Sequence, residues 1–357
     1  MKYIKQLDSL RAIAVIFVII RHWVPKNNII NILPTGAIGV DIFFVLSGYL
    51  ITCILFDNRN IADLHSTSKK AVLKNFYMRR TLRIFPIYYL TVFLLLIFHE
   101  YMGTNIRSVY LYYITYTSNF YLFKIHAWNG MITHLWSLAV EEQFYLIWPL
   151  LILFLKKKHF LPLIFIFIFI GVVSQCLLAQ IKLSSVLTFT CFDAFGLGAL
   201  LAWYQTYRKE KLERLYAVLK LLACIAAVLF VVSIFKKGLF LPQRTIISIM
   251  ALWLISFITL KQHSSLLLKN PILNNTILIF IGKISYGVYL YHNFIPKLNS
   301  LTFNKYINPL FPNLLSVQYR SQVFWIENII LLVLVSWISY FIIERKFLSL
   351  KKYFNYQ

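Results

Sequence analysis

Leu7-Asp8-Ser9-Leu10-Arg11-Ala12-Ile13-Ala14-Val15-Ile16-Phe17-Val18-Ile19-Ile20-Arg21-His22 opens the first apolar stretch of the chain with an arginine and a histidine eleven residues apart. At about 100° per residue, eleven steps come to about 1100°, within about 20° of three full turns, so Arg11 and His22 face the same way along one helix. A rise of about 1.5 Å per residue separates them by about 16 Å along the axis, too far for one hydrogen-bonded pair. An arginine inside a membrane costs roughly 2.5–3.5 kcal/mol on insertion scales, and a histidine at similar depth also needs a polar partner or water. The two therefore mark two levels of one polar path.

Working outward, the rest of the chain reads as membrane. Of 357 residues, 60% are hydrophobic and only 13% charged, a balance that no water-soluble core requires. Crossing a hydrocarbon layer of about 30 Å takes about 20 mainly apolar residues. Ten such runs are present, at approximately 8–26, 35–56, 80–99, 134–155, 159–178, 186–205, 215–235, 243–261, 277–296 and 322–344. The predicted fold is an all-α polytopic bundle of about ten transmembrane helices, a single membrane-embedded domain over residues 1–357 with no appended soluble domain. The first run lacks a small-x-small cleavage site and is read as a retained helix. Placing the N-terminus in the cytoplasm puts 22 of the 36 Lys and Arg residues inside and 10 outside, the latter including Lys26, Lys182, Lys237 and Arg244. The positive-inside rule favours that orientation, with both termini cytoplasmic.

The formal net charge of +24 falls mostly in short cytoplasmic loops, where topology and anionic lipid account for it, so nucleic acid is not an expected partner. Cys53, Cys176, Cys191 and Cys224 all lie in apolar runs and read as small core residues; neither a disulfide nor a metal site is expected. His99, His126, His134, His159 and His263 sit near loops or helix ends and read as solvated.

Three further clusters carry polar chemistry. Arg80 and Arg83, in Met78-Arg79-Arg80-Thr81-Leu82-Arg83, lie one turn apart and can hold phosphate groups bidentately, although a plain positive-inside anchor explains them too. The second run, Gly36-Ala37-Ile38-Gly39-Val40-Asp41 through Ser47-Gly48-Tyr49-Leu50, carries small residues that let a helix or a thin ligand approach. Its Asp41 needs a partner or water. The fourth run, His134-Leu135-Trp136-Ser137-Leu138-Ala139-Val140-Glu141-Glu142-Gln143, buries two carboxylates near the depth of His22. A carboxylate beside an imidazole fixes its tautomer and stabilises the imidazolium, as a general base requires; a structural ion pair is the alternative.

Taken together, these motifs resemble the acyltransferase-3 family of bacterial membrane O-acyltransferases. The resemblance rests on Leu7 to Val15 with His22 at the Arg-x10-His spacing, Gly39-Val40-Asp41, Ser47-Gly48-Tyr49-Leu50, Arg80-x-x-Arg83 with Pro86, Trp136-Ser137-Leu138 before Glu141, and Ile284-Ser285-Tyr286-Gly287-Val288-Tyr289-Leu290-Tyr291-His292. It implies a multi-pass enzyme of the bacterial cytoplasmic (inner) membrane. Such an enzyme passes an acyl group, usually acetyl, from cytoplasmic acyl-CoA to a hydroxyl of a carbohydrate. By that resemblance His22 is catalytic, Arg11 its companion and Glu141 its acidic partner, while Arg80 and Arg83 serve the donor; Ser47 and Gly48, being small, are expected to wall the path of the donor's thin arm. Asp41, Glu142, Tyr286 and His292 are the expected acceptor-side residues, and no metal is implied. Cys191, at a position where many members carry Arg, and Lys346, in place of a common Pro, depart from the pattern. O-antigen, exopolysaccharide, peptidoglycan and small glycosides all offer suitable hydroxyls. The rival reading of the same buried charge is a transporter or flippase for a lipid-linked sugar or small solute, against which the lack of an evident inverted repeat argues.

Overall fold

The computed structural model describes residues 3–25, 28–236, 241–262, 264–302, 305, 306, 309 and 320–355. Lys26, Lys237 and His263 lie outside them. The described residues form helices and no strands. The principal ones are α1 (Lys5–Trp23), α2 (Thr35–Leu64), α3 (Lys69–Ile97), α4 (Leu135–Phe154), α5 (Phe160–Leu177) and α6 (Phe192–Tyr207). They continue as α7 (Leu212–Phe235), α8 (Gln243–Leu260), α9 (Thr276–Lys283), α10 (Ser285–Tyr291) and α11 (Arg320–Ser339).

Seven helical stretches among the described residues are long and apolar enough to cross a membrane: Thr35–Leu64, Lys69–Ile97, Gly130–Phe154, Lys157–Leu177, Lys209–Phe235, Gln243–Leu260 and Gln322–Tyr353. The other three expected runs fall short for physical reasons. α1 carries Asp8, Arg11 and Arg21 within its 19 residues. α6 has only 16 residues, and the run at 277–296 is broken at Ile284 into α9 and α10.

Close backbone contacts hold the centre together. A Cβ at Gly48 would run into the backbone of Phe195, and one at Gly198 into the backbone of Val45 and Tyr49, so α2 and α6 touch main chain to main chain. Around that seam Phe144 stacks on Phe195 with ring centroids 4.1 Å apart, and Phe44 leans on Phe195 at 4.9 Å. The 30 residues of α2 run on to Arg59, whose guanidinium donates to the carbonyls of Ile152, Leu153 and Leu155 at 2.8, 2.6 and 3.1 Å. A cation there satisfies the orphan carbonyls at the end of α4. The outer faces of α5 and α7 expose Phe165, Phe169, Leu221, Val228 and Phe235, apolar surface of the kind a bilayer covers. Cys53 and Cys191 are buried as expected, whereas Cys176 and Cys224 are exposed on these faces.

Candidate active site

Helical spacing first gathers the polar groups of α4. Ser137, Glu141 and Tyr145 recur every four residues and so share one face; that face closes a cavity of about 290 Å³. Arg11 of α1, Ser47 of α2, Arg80 and Arg83 of α3, Glu141 and Glu142 of α4, and Tyr286 of α10 all line it. Ser47 Oγ donates to Glu141 at 2.9 Å, and the Tyr145 hydroxyl reaches Ser47 at 2.9 Å and Glu141 at 3.3 Å. Arg80 lies over the rings of Tyr145 and Phe76, 5.4 and 5.7 Å from their centroids, contacts that suit a guanidinium in a poorly hydrated place. Glu142 Oε1 is buried without a hydrogen-bond partner among the described residues.

A second cavity of about 720 Å³ opens beside the first, lined by Arg11, Arg79, Arg80, Arg83 and Lys351 against the carboxylate of Asp57. Arg11, Leu50, Ile54, Arg80 and Arg83 line both cavities, so the two make one passage. Arg11 is ion-paired with Asp8 of its own helix. Arg79 donates to the carbonyls of Lys351 and Phe354 at 3.1 and 3.2 Å, which straps the C-terminal segment onto α3 and brings Lys351 to the rim. Five cations around one opening concentrate a polyanion.

Beyond the 290 Å³ cavity, whose lining includes Tyr289 but none of the histidines, stands a cluster of rings. His22, exposed in the last turn of α1, has its ring 5.0 Å from that of His292, and His292 lies 4.7 Å from His134. Trp23 Nε1 donates to the His292 carbonyl at 2.9 Å, tying the end of α1 to the end of α10. Tyr289, which lines the 290 Å³ cavity, has its ring 5.5 Å from His292 and its hydroxyl 2.5 Å from Ser137 Oγ. The cavity and the histidines are thus joined through Tyr289.

Several sequence expectations meet a different geometry. Among the described residues no hydrogen bond or ion pair joins Glu141 to His22; Glu141 engages Ser47 and Tyr145 instead, because α10 stands between them with Tyr289 and His292. Gly48 is no cavity wall: it faces α6, where its missing Cβ permits the contact with Phe195. Asp41 pairs with Arg244 at 2.9 Å, the two side chains 2% and 10% exposed. They line a separate cavity of about 500 Å³, so Asp41 is committed to joining α2 to α8. His292 is fully buried and lines neither cavity of the passage. His134 is buried rather than solvated, because it starts α4 inside the bundle. Sequence reasoning quoted Tyr145 and Tyr289 within motifs but gave them no role, and gave none to Lys351. The four-residue spacing from Glu141 marks Tyr145.

The family model described as Acyltransferase domain (Acyl_transf_3) matches residues 4–344. Peptidoglycan O-acetyltransferase OatA of Listeria monocytogenes is 32% identical over 321 residues, 82% of this chain and 49% of that protein. O-acetyltransferase OatA of Staphylococcus aureus is 31% identical over 373 residues, 96% of this chain and 57% of that protein. A putative O-acetyltransferase of Staphylococcus aureus strain COL is 32% identical over 327 residues, 82% of this chain and 50% of that protein. The chain spans about half the length of these curated relatives. No solved structure matches. With the family model covering nearly its whole length and every principal helix, the chain belongs to the membrane acyltransferase family.

Proposed function

We propose that this chain transfers an acyl group, acetyl by the names of its relatives, from acyl-CoA to a hydroxyl of a surface carbohydrate. Peptidoglycan is the polymer named for one relative and is the first acceptor to test. The passage from five cations to the Tyr289 ring carries this reading. In it the chain crosses the bacterial cytoplasmic membrane ten times with both termini inside, and Arg79, Arg80, Arg83 and Lys351 hold the phosphates of the nucleotide at the cytoplasmic rim. CoA is too highly charged to enter hydrocarbon, but its thin pantetheine arm is not. Ser47, Glu141, Tyr145 and the free Oε1 of Glu142 offer that arm hydroxyl and carboxylate oxygens within the cavity. From Arg83 to His22 the span is on the order of 15–20 Å by helical rise, which an extended arm largely covers.

At the far end His22 acts as general base. A ring nitrogen takes the proton of the acceptor hydroxyl, the oxygen attacks the thioester carbonyl, and the carbon–sulfur bond breaks. The departing thiolate then recovers the proton from the imidazolium, giving an ester and free CoA. Arg11, held by Asp8, stands at the junction of the two cavities as the last fixed positive charge below the thioester. Purified protein in detergent, given radiolabelled acetyl-CoA with soluble muropeptides or chitotetraose, is expected to form alkali-labile labelled ester. Consumption of acetyl-CoA no faster than by a His22→Ala protein, with every acceptor, would overturn the proposal.

A further inference from the structure

Of its two ring nitrogens, His292 uses one in a hydrogen bond among the described residues. It closes α10 as a fully buried residue, and a phenyl ring would fill the same space. Its Nδ1 lies 2.6 Å from the carbonyl oxygen of Tyr289. A carbonyl only accepts, so Nδ1 carries the hydrogen and Nε2 keeps a lone pair. That Nε2 is buried and has no hydrogen-bond partner among the described residues, an arrangement that is costly unless something comes to it.

Three side chains surround the ring. Tyr289 spends its hydroxyl on Ser137 and on the His134 carbonyl, at 2.5 and 3.1 Å. His134 has its Nε2 3.0 Å from the Leu290 carbonyl, and its Nδ1 3.0 Å from the Met131 carbonyl and 3.1 Å from the Asn293 amide. His22 alone has no hydrogen bond among the described residues, and its ring stands 5.0 Å from that of His292 at 62°. At that separation ring nitrogens that turn toward each other reach hydrogen-bond distance. The Trp23 bond to the His292 carbonyl holds the two helix ends in register for this meeting.

We propose that His292 is the positioning residue of His22: its buried Nε2 accepts the N–H of the His22 ring, so that the other His22 nitrogen points its lone pair at the acceptor hydroxyl. The inference rests on His22 being the base. It gives His292 the part that an acidic residue plays in serine hydrolases, that of fixing the tautomer of the base, and it frees Glu141 for the cavity.

His292→Phe fills the same volume and leaves the Trp23 bond, which is to main chain, in place. It is expected to lower kcat by about 100-fold or more, with the KM for acetyl-CoA within about twofold of wild type. His292→Gln returns an acceptor atom near the position of Nε2 and is expected to recover at least about tenfold of that loss. Nitrogen-15 NMR of histidine-labelled wild-type protein supplies a readout independent of any variant, and is expected to show His292 protonated on Nδ1 with Nε2 accepting a hydrogen bond. A folded His292→Phe protein with wild-type kcat, a Gln variant no better than Phe, or His292 protonated on Nε2 would each overturn the inference. His22→Ala separates the two levels: if it kills activity while His292→Phe does not, only the positioning role fails, and if it leaves activity intact the base assignment fails with it.

Discussion

The two ends of the polar passage are built on opposite principles. At one end five cations from α1, α3 and the C-terminal segment ring an opening of about 720 Å³ and leave it wide. At the other, three imidazoles lie ring against ring with centroids 5.0 and 4.7 Å apart, and two of the three are buried. Loose, like-charged and hydrated suits the capture of a flexible polyanion, where the field matters more than any one contact. Tight, neutral and anchored to main chain suits a group that must hold one tautomer while it moves a proton. In the proposed reaction one bundle carries both, because a thin ligand, rather than the protein, would span the distance past Arg11, Arg80 and Arg83, which line both cavities.

Substitutions at each end should therefore fail differently. The largest loss belongs to the histidine end: His22→Ala is expected to lower acyl transfer by about 10²–10⁴-fold while membrane abundance, measured by immunoblot, stays near wild type. Activity above about one per cent of wild type would remove His22 from the role of base. At the arginine end the loss should appear in KM. Arg83→Ala is expected to raise the KM for acyl-CoA about 10- to 100-fold, the worth of roughly 1.5–3 kcal/mol for hydrogen bonds to a charged group. The KM for acceptor should move little; equal rises in both would mean that Arg83 serves the fold. Between the ends, Gly48→Ala should act on stability and not on chemistry, since its methyl meets the Phe195 backbone. About 1–3 kcal/mol of overpacking should lower the melting temperature in detergent. A selective loss of transfer with unchanged melting would put Gly48 back on the passage wall. The smallest effect on transfer is expected from Asp41→Asn, which weakens the ion pair to Arg244 beside a cavity separate from the passage. Thermal stability should fall by about 3–5 kcal/mol at most, as for a broken buried pair, with kcat of the surviving folded protein unchanged.

How much of this could be read beforehand depended on sequence distance. Periodicity within one helix placed Arg11 and His22 on one line, and a one-turn spacing joined Arg80 to Arg83. What failed to appear were pairings between distant segments. Asp41 finds Arg244 across 203 residues and Trp23 finds His292 across 269; no local pattern encodes either. Gly48 was ambiguous for a related reason: a small residue permits close approach without saying whether a ligand or a helix approaches, and here Phe195 does. Depth estimates from helical rise brought Glu141 and His22 to one level, but rise carries no information about α10, which stands between them. Hydropathy shares the same locality, since it does not register that Ile284 interrupts the ninth apolar run.

Sidedness is the property that most directly joins the two ends. In proteoliposomes sealed with the protein in a single orientation, radiolabelled acetyl-CoA supplied on the face bearing Arg79, Arg80 and Arg83 should label chitotetraose or muropeptides placed on the His22 face. The same donor supplied on the His22 face should not. Labelling from both faces alike, labelling only from the His22 face, or labelling that survives His22→Ala would contradict a passage that takes its donor at the arginines and performs its chemistry at the histidines.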